Sequence, residues 1–135
     1  MNRINARIIA RITYAAFALC CIIAACDDSS TDTANDIVFP DKSVSYAQHV
    51  QPLFNLRCVN AGCHDDVSRA SDLSLTSYYS LNARPGIVIP GNSQSSLLAQ
   101  KIDGRLPHQN IPPLLINTNQ INGVKKWIEE GAKNN

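Results

Sequence analysis

Methionine is almost missing from this sequence: Met1 is the single one among 135 residues. No thioether side chain is therefore available to the folded part of the chain, either as a packing residue or as a soft metal ligand. Catalytic machinery of the familiar kinds is missing too. There is no nucleophile beside a general base, no acid–base pair and no phosphate-binding glycine loop, so hydrolytic and transferase chemistry have nothing to act through. No basic run stands out, and twelve Lys and Arg against eleven Asp and Glu give a net charge of +1. Nucleic acid is not an expected partner. No internal repeat is present.

What is there begins with an exceptional N-terminus. Arg3, Arg7 and Arg11 precede the apolar run from Ile12 to Ala25, which is shorter than the roughly 20 residues of a membrane span and reads as a cleaved signal over residues 1–25. The run ends Ile23-Ala24-Ala25-Cys26, which resembles the bacterial lipobox, in which the cysteine is lipidated and becomes the new N-terminus. Each buried acyl methylene contributes about 0.8 kcal/mol. The expectation is an exported protein, lipid-anchored through Cys26 to a cell-envelope membrane and facing the periplasm or the cell exterior. With three arginines removed, nine Lys and Arg face eleven Asp and Glu.

Residues 26–43 are acidic and Ser/Thr-rich, with few apolar side chains, the composition of a solvated tether. The folded domain is expected over residues 44–135. Tyr46, Val50, Leu53 and Phe54 form a helical stripe behind Ser43 or Ser45 as cap, interrupted by Pro52, where the helix must start late or bend. "LSLTSYYSL" is a short extended or helical piece within a long connection. Leu97, Leu98 and Ile102 mark a second helix capped by Asn92 or Ser93. Thr118 caps a last one bearing Ile121, Val124, Trp127 and Ile128, closed by Gly131. About three helices with long loops make a small all-α domain with a thin core, a size class that commonly needs a staple.

The sequence offers one place for it, "RCVNAGCH", with Cys58, Cys63 and His64. Cysteine followed directly by histidine is the chemically telling part of a covalent haem site, because it sets anchor and iron ligand side by side. The usual spacing has two residues between the cysteines and here there are four. Gly62 supplies backbone freedom for outward bulging of the extra residues. Two other readings stand beside it: a Cys58–Cys63 disulfide, which an exported compartment permits, and a zinc site of Cys58, Cys63, His64 and Asp65 or Asp66.

"YAQHVQPLFNLRCVNAGCH", "LSLTSYYSL", "IVIPGNSQSSLLAQKI", "GRLPHQNIPPL" and "VKKWIEEGA" follow one another in that order from Tyr46 to Ala132. This series resembles bacterial cytochrome c-like lipoprotein domains related to the planctomycete-type c-type cytochromes. The resemblance implies a cytochrome c-like fold whose first and last helices cross, bringing Val50 and Phe54 to Val124, Trp127 and Ile128. It implies haem c attached at Cys58 and Cys63, with His64 as the proximal iron ligand. The family's Arg-Met-Pro loop supplies the second axial ligand, and here the matching residues are Arg105-Leu106-Pro107. His108 is the natural substitute, with an exposed loop histidine as the other reading, and bis-histidine ligation lowers the potential relative to His/Met. His49, on the helix leading into the motif, is expected as a surface or propionate-contacting residue, with Lys101 and Lys125 as remoter ligand candidates. The implied function is single-electron transfer by a non-enzymatic monomer, with redox proteins of the envelope as partners. An open iron position would instead make a gas-binding sensor, and loss of haem would leave a disulfide-stapled structural lipoprotein.

Overall fold

The structure, a computed structural model, describes residues 37–108 and 115–135. The signal over residues 1–25, the lipidated Cys26 and the tether as far as residue 36 lie outside the described residues. Among the described residues all regular structure is helical, with no strand. A π turn at Tyr46–Val50 runs into α1, Gln51–Arg57; a 3₁₀ turn at Ala70–Asp72 and three helices follow: α2 Tyr78–Asn82, α3 Leu97–Ile102 and α4 Thr118–Glu129. Among the described residues four α-helices stand where about three were expected, and the short "LSLTSYYSL" piece takes its helical form as α2.

The first element shows what Pro52 does. Ser45 is the cap, its hydroxyl accepting from the Gln48 N–H at 3.2 Å. Pro52 has no N–H to give, and its ring would collide with the carbonyl four residues back. The chain accommodates it by widening the turn before it: the Val50 N–H reaches the Ser45 carbonyl at 3.3 Å, and the Gln51 N–H bonds Tyr46. Pro52 then sits in the first turn of α1, where a missing donor costs little.

Two caps differ from expectation. α4 is capped by Asn117, not Thr118, in a capping box with Gln120. Its far end is a Schellman turn, with Gly131 at φ +100° and the Ala132 and Gly131 N–H groups bonding Trp127 and Ile128. α3 begins several residues later than Asn92 or Ser93 would place it, with Ser96 as cap. The Ser96 hydroxyl donates to the Asn92 carbonyl at 2.8 Å, and the Asn92 side chain holds the Ser95 N–H in a turn of its own. These bonds satisfy a non-helical approach to the helix.

The core closes around Trp127. Its ring lies 5.4 Å from Tyr46 and 6.5 Å from Tyr78, and the two tyrosines meet edge to face at 5.2 Å. Buried polar ends are satisfied: Trp127 Nε1 donates to the Lys133 carbonyl at 2.9 Å and the Tyr78 hydroxyl to Ala132 at 2.9 Å. Val50, Phe54, Val124, Trp127 and Ile128 belong to one buried cluster, and α4 packs against the π turn and α3. No described helix is long and apolar enough to cross a membrane.

Packing starts upstream of the boundary expected at residue 44. Phe39 is 3% exposed and belongs to the core. Its backbone exchanges two hydrogen bonds with the Asn119 side chain, at 2.8 and 3.0 Å. The Glu130 carboxylate accepts the N–H groups of Ser43 and Val44. Residues 37–43 are therefore docked chain and not tether. The seat is Gly123, where an added Cβ would lie 2.1 Å from the Phe39 ring. Gly123→Ala is expected to lower stability by about 1–3 kcal/mol through overpacking, opposite in sign to the gain of roughly 0.5–1 kcal/mol for alanine in an open helix. The shift of a urea midpoint checks it.

Candidate functional site

The site is built on the loop that leaves α1. The Cys58 N–H still bonds the Phe54 carbonyl at 2.7 Å, so Cys58 is fixed by the end of the helix. The chain then turns outward through exposed Asn60, Ala61 and Gly62. Gly62 lies at φ +85°, a left-handed conformation that disfavours side chains, with open space around it. Its N–H bonds the Ser68 hydroxyl at 2.9 Å. The Cys63 N–H bonds Asn60 at 2.8 Å, and the His64 N–H returns to the Cys58 carbonyl at 3.1 Å. That last bond closes the widened spacing, so the additional residues form an outward bulge on a loop whose two ends are tied together.

Both Cys58 and Cys63 are free thiols, each half-buried. Burial pushes the Cys58 thiol up to about 12, the neighbouring Cys63 adds to this, and Arg57 opposes it. Cys58 is therefore a protonated thiol at neutral pH.

Cys63 and His64 are held by the segment that follows them, residues 70–75. The Ala70 N–H bonds the Cys63 carbonyl at 2.8 Å and the Leu75 N–H bonds His64 at 2.9 Å, while His64 Nδ1 lies 3.1 Å from the Leu73 carbonyl. A carbonyl only accepts, so Nδ1 carries the proton and Nε2 keeps its lone pair. This tautomer is the one in which an imidazole binds a metal through Nε2 with its ring oriented by a backbone carbonyl. Arg69, Ser71 and Asp72 all sit at positive φ, between 42° and 57°, and this bent course carries Leu73 back to His64.

The ring facing His64 is His108, with centroids 5.9 Å apart and planes at 79°. Two imidazoles sharing one metal ion would have their centres roughly 6 Å apart, given metal–nitrogen bonds of about 2.0–2.1 Å. Nδ1 of His108 is buried and finds no hydrogen-bond partner among the described residues, and the same holds for Nε of Arg57 beside Cys58. Burial, with the His64 ring and the Lys101 ammonium nearby, holds the His108 imidazole below the usual histidine range. It is neutral at pH 7, the form a metal ligand needs. Unfolded chain takes up this proton near the ordinary value of about 6.5, whereas folded chain resists it. His108 therefore contributes stability above that value, lost as pH falls through its lower folded value. Urea midpoints should fall from pH 7 to pH 5, and fall less in His108→Gln.

The other expected residues have partners of their own in the fold. His49 packs on Phe39 at 5.7 Å and takes the Ser45 N–H at 3.1 Å, on the docked-segment side of the fold. Lys101 donates to the Pro107 carbonyl and Lys125 pairs with Asp103 at 3.4 Å. Asp65 accepts the Val67 and Ser68 N–H groups, and Asp66 accepts the Ser74 and Thr76 hydroxyls. Among the described residues no three His, Cys, Asp or Glu side chains gather as a metal cage. The tetrad required by the zinc reading is thus not assembled among the described residues. Leu106, between Arg105 and Pro107, is half-buried, and its N–H bonds the Gln100 carbonyl at 2.9 Å.

Compared with protein-family models, curated proteins and solved structures, the chain matches none. The site's own chemistry therefore carries the functional reading. Sequence reasoning missed Leu73, whose role is played by a backbone carbonyl and leaves no trace in residue type. It also missed the tie from Lys101 to Pro107, for which an i, i+6 cation beside a proline loop was the available signal.

Proposed function

We propose that this chain is a monohaem c-type cytochrome domain with a cytochrome c-like fold, tethered to a cell-envelope membrane through lipidated Cys26 and carrying single electrons between envelope redox proteins. In this reading Cys58 and Cys63 hold haem c by thioether bonds, His64 is the proximal ligand and His108 the distal one. Haem c supplies one-electron chemistry at its iron. The residues around it orient and protect: the Leu73 carbonyl fixes the His64 ring and keeps its proton on Nδ1. The bonds through Cys58, Cys63 and Asn60 hold the attachment loop closed. The observation that carries the reading is the meeting of two imidazoles at 5.9 Å, one oriented by a carbonyl and the other with a buried, unpartnered ring nitrogen. That pairing favours a carrier, in which His64 and His108 would both hold the iron, over a sensor with an open iron.

A pyridine haemochrome assay tests it, on full-length protein exported in a host with c-type maturation and, in parallel, purified from its native source. A c-type band on denatured protein is expected. No haem from either source, with Cys58 and Cys63 oxidised to a disulfide, would leave a stapled structural lipoprotein instead.

A further inference from the structure

His108 is delivered by a short turn, residues 103–108, that leaves α3 and is tied at several points. The Arg105 side chain forks onto the Asp103 carboxylate at 3.0 and 2.9 Å and reaches the Gln94 carbonyl at 3.0 Å. Lys125 of α4 holds the same carboxylate at 3.4 Å. The Leu106 N–H bonds Gln100 at 2.9 Å. These contacts fix the middle of the turn. At the last residue before His108 the turn has no donor to offer, because Pro107 lacks an N–H, and the tie into the Pro107–His108 peptide is made through the Pro107 carbonyl. Among the described residues that carbonyl takes the Lys101 ammonium, at 2.6 Å. Nδ1 of the His108 ring finds no such restraint among the described residues, and the bond on the preceding carbonyl is the tie that bears on its placement.

We propose that Lys101 is the positioning residue for His108, its bond to the Pro107 carbonyl setting the peptide that presents the second imidazole to His64. The role rests on the bis-histidine reading above. Lys101 itself is not a ligand, since its ammonium is engaged by a carbonyl. Bonds of this kind, with a charged donor, are among the stronger ones in proteins. An apparent affinity for an outside ligand scales with the fraction of molecules whose position is open.

Lys101→Met keeps most of the stem and removes the donor, while Lys101→Arg keeps a donor. In full-length protein made without haem, NMR cross-relaxation between the His64 and His108 rings should be present in wild type and Lys101→Arg and be lost in Lys101→Met. In haem-loaded ferric protein, apparent cyanide affinity should rise about tenfold in Lys101→Met, approach that of His108→Ala, and return to within about twofold of wild type in Lys101→Arg. A lowered thermal midpoint with unchanged ring contacts and unchanged cyanide affinity would overturn the proposal, leaving Lys101 an ordinary surface tie. Ring contacts that respond to Lys101 in a chain that never loads haem would sink the cytochrome reading alone. His108→Ala without effect on cyanide affinity would remove the distal assignment and the proposal with it.

Discussion

His64→Ala is expected to abolish the low-spin haem spectrum and to destabilise the chain even without haem. The second effect follows from the hydrogen bonds. Removing the ring leaves the Leu73 carbonyl, now bonded at 3.1 Å, without its partner in a half-buried setting, at a cost of about 1–3 kcal/mol. The left-handed residues Arg69, Ser71 and Asp72 then lose a contact that rewards their conformation. Optical spectra of loaded protein read the first effect and urea denaturation of haem-free protein the second. An unchanged spectrum would show that His64 is not the proximal ligand, and a loss of stability alone would reduce it to a structural clamp.

Trp127→Ala should be the most damaging change in the core. Trp127 is 1% exposed, contacts both Tyr46 and Tyr78, and satisfies its ring nitrogen on Lys133. Truncation of such a residue costs about 3–5 kcal/mol, against a total of about 5–15 kcal/mol for an ordinary domain. Far-ultraviolet circular dichroism under urea should show a variant near the edge of unfolding in water. Tyr79→Ala is the control: at 77% exposure it should leave the midpoint nearly unchanged. Equal effects from the two would mean that the aromatic cluster is not the keystone of the fold.

Much of this architecture was legible because helices announce their buried faces. The spacing of Val124, Trp127 and Ile128 located α4, and Pro52 located a disturbance in the first helix. Where the reading slipped, competing side chains were responsible. Asn117 and Thr118 are both good caps, and only Gln120, three residues after Asn117, selects between them through the capping box. Ser96 caps α3 with its backbone while its hydroxyl serves the preceding turn. Phe39 was hidden for a different reason: it stands at the end of a polar, acidic stretch, and its place exists only because Gly123 leaves a notch on a helix far along the chain. The candidate site divides the same way. Cys58, Cys63 and His64 are adjacent in sequence and could be named from it. The Leu73 carbonyl comes from tertiary backbone geometry, which no residue type encodes.

The docking of Phe39 on Gly123 also fixes a length. With residues 37–43 fastened to the fold, a lipid on Cys26 would leave only the stretch from 26 to 37 as leash. A chain of that length spans at most about 35–40 Å when fully drawn out. Under the lipid-anchored reading proposed above, the domain would reach only partners within about that distance of the bilayer. A mutation that frees Phe39 would lengthen the leash as well as loosen the core.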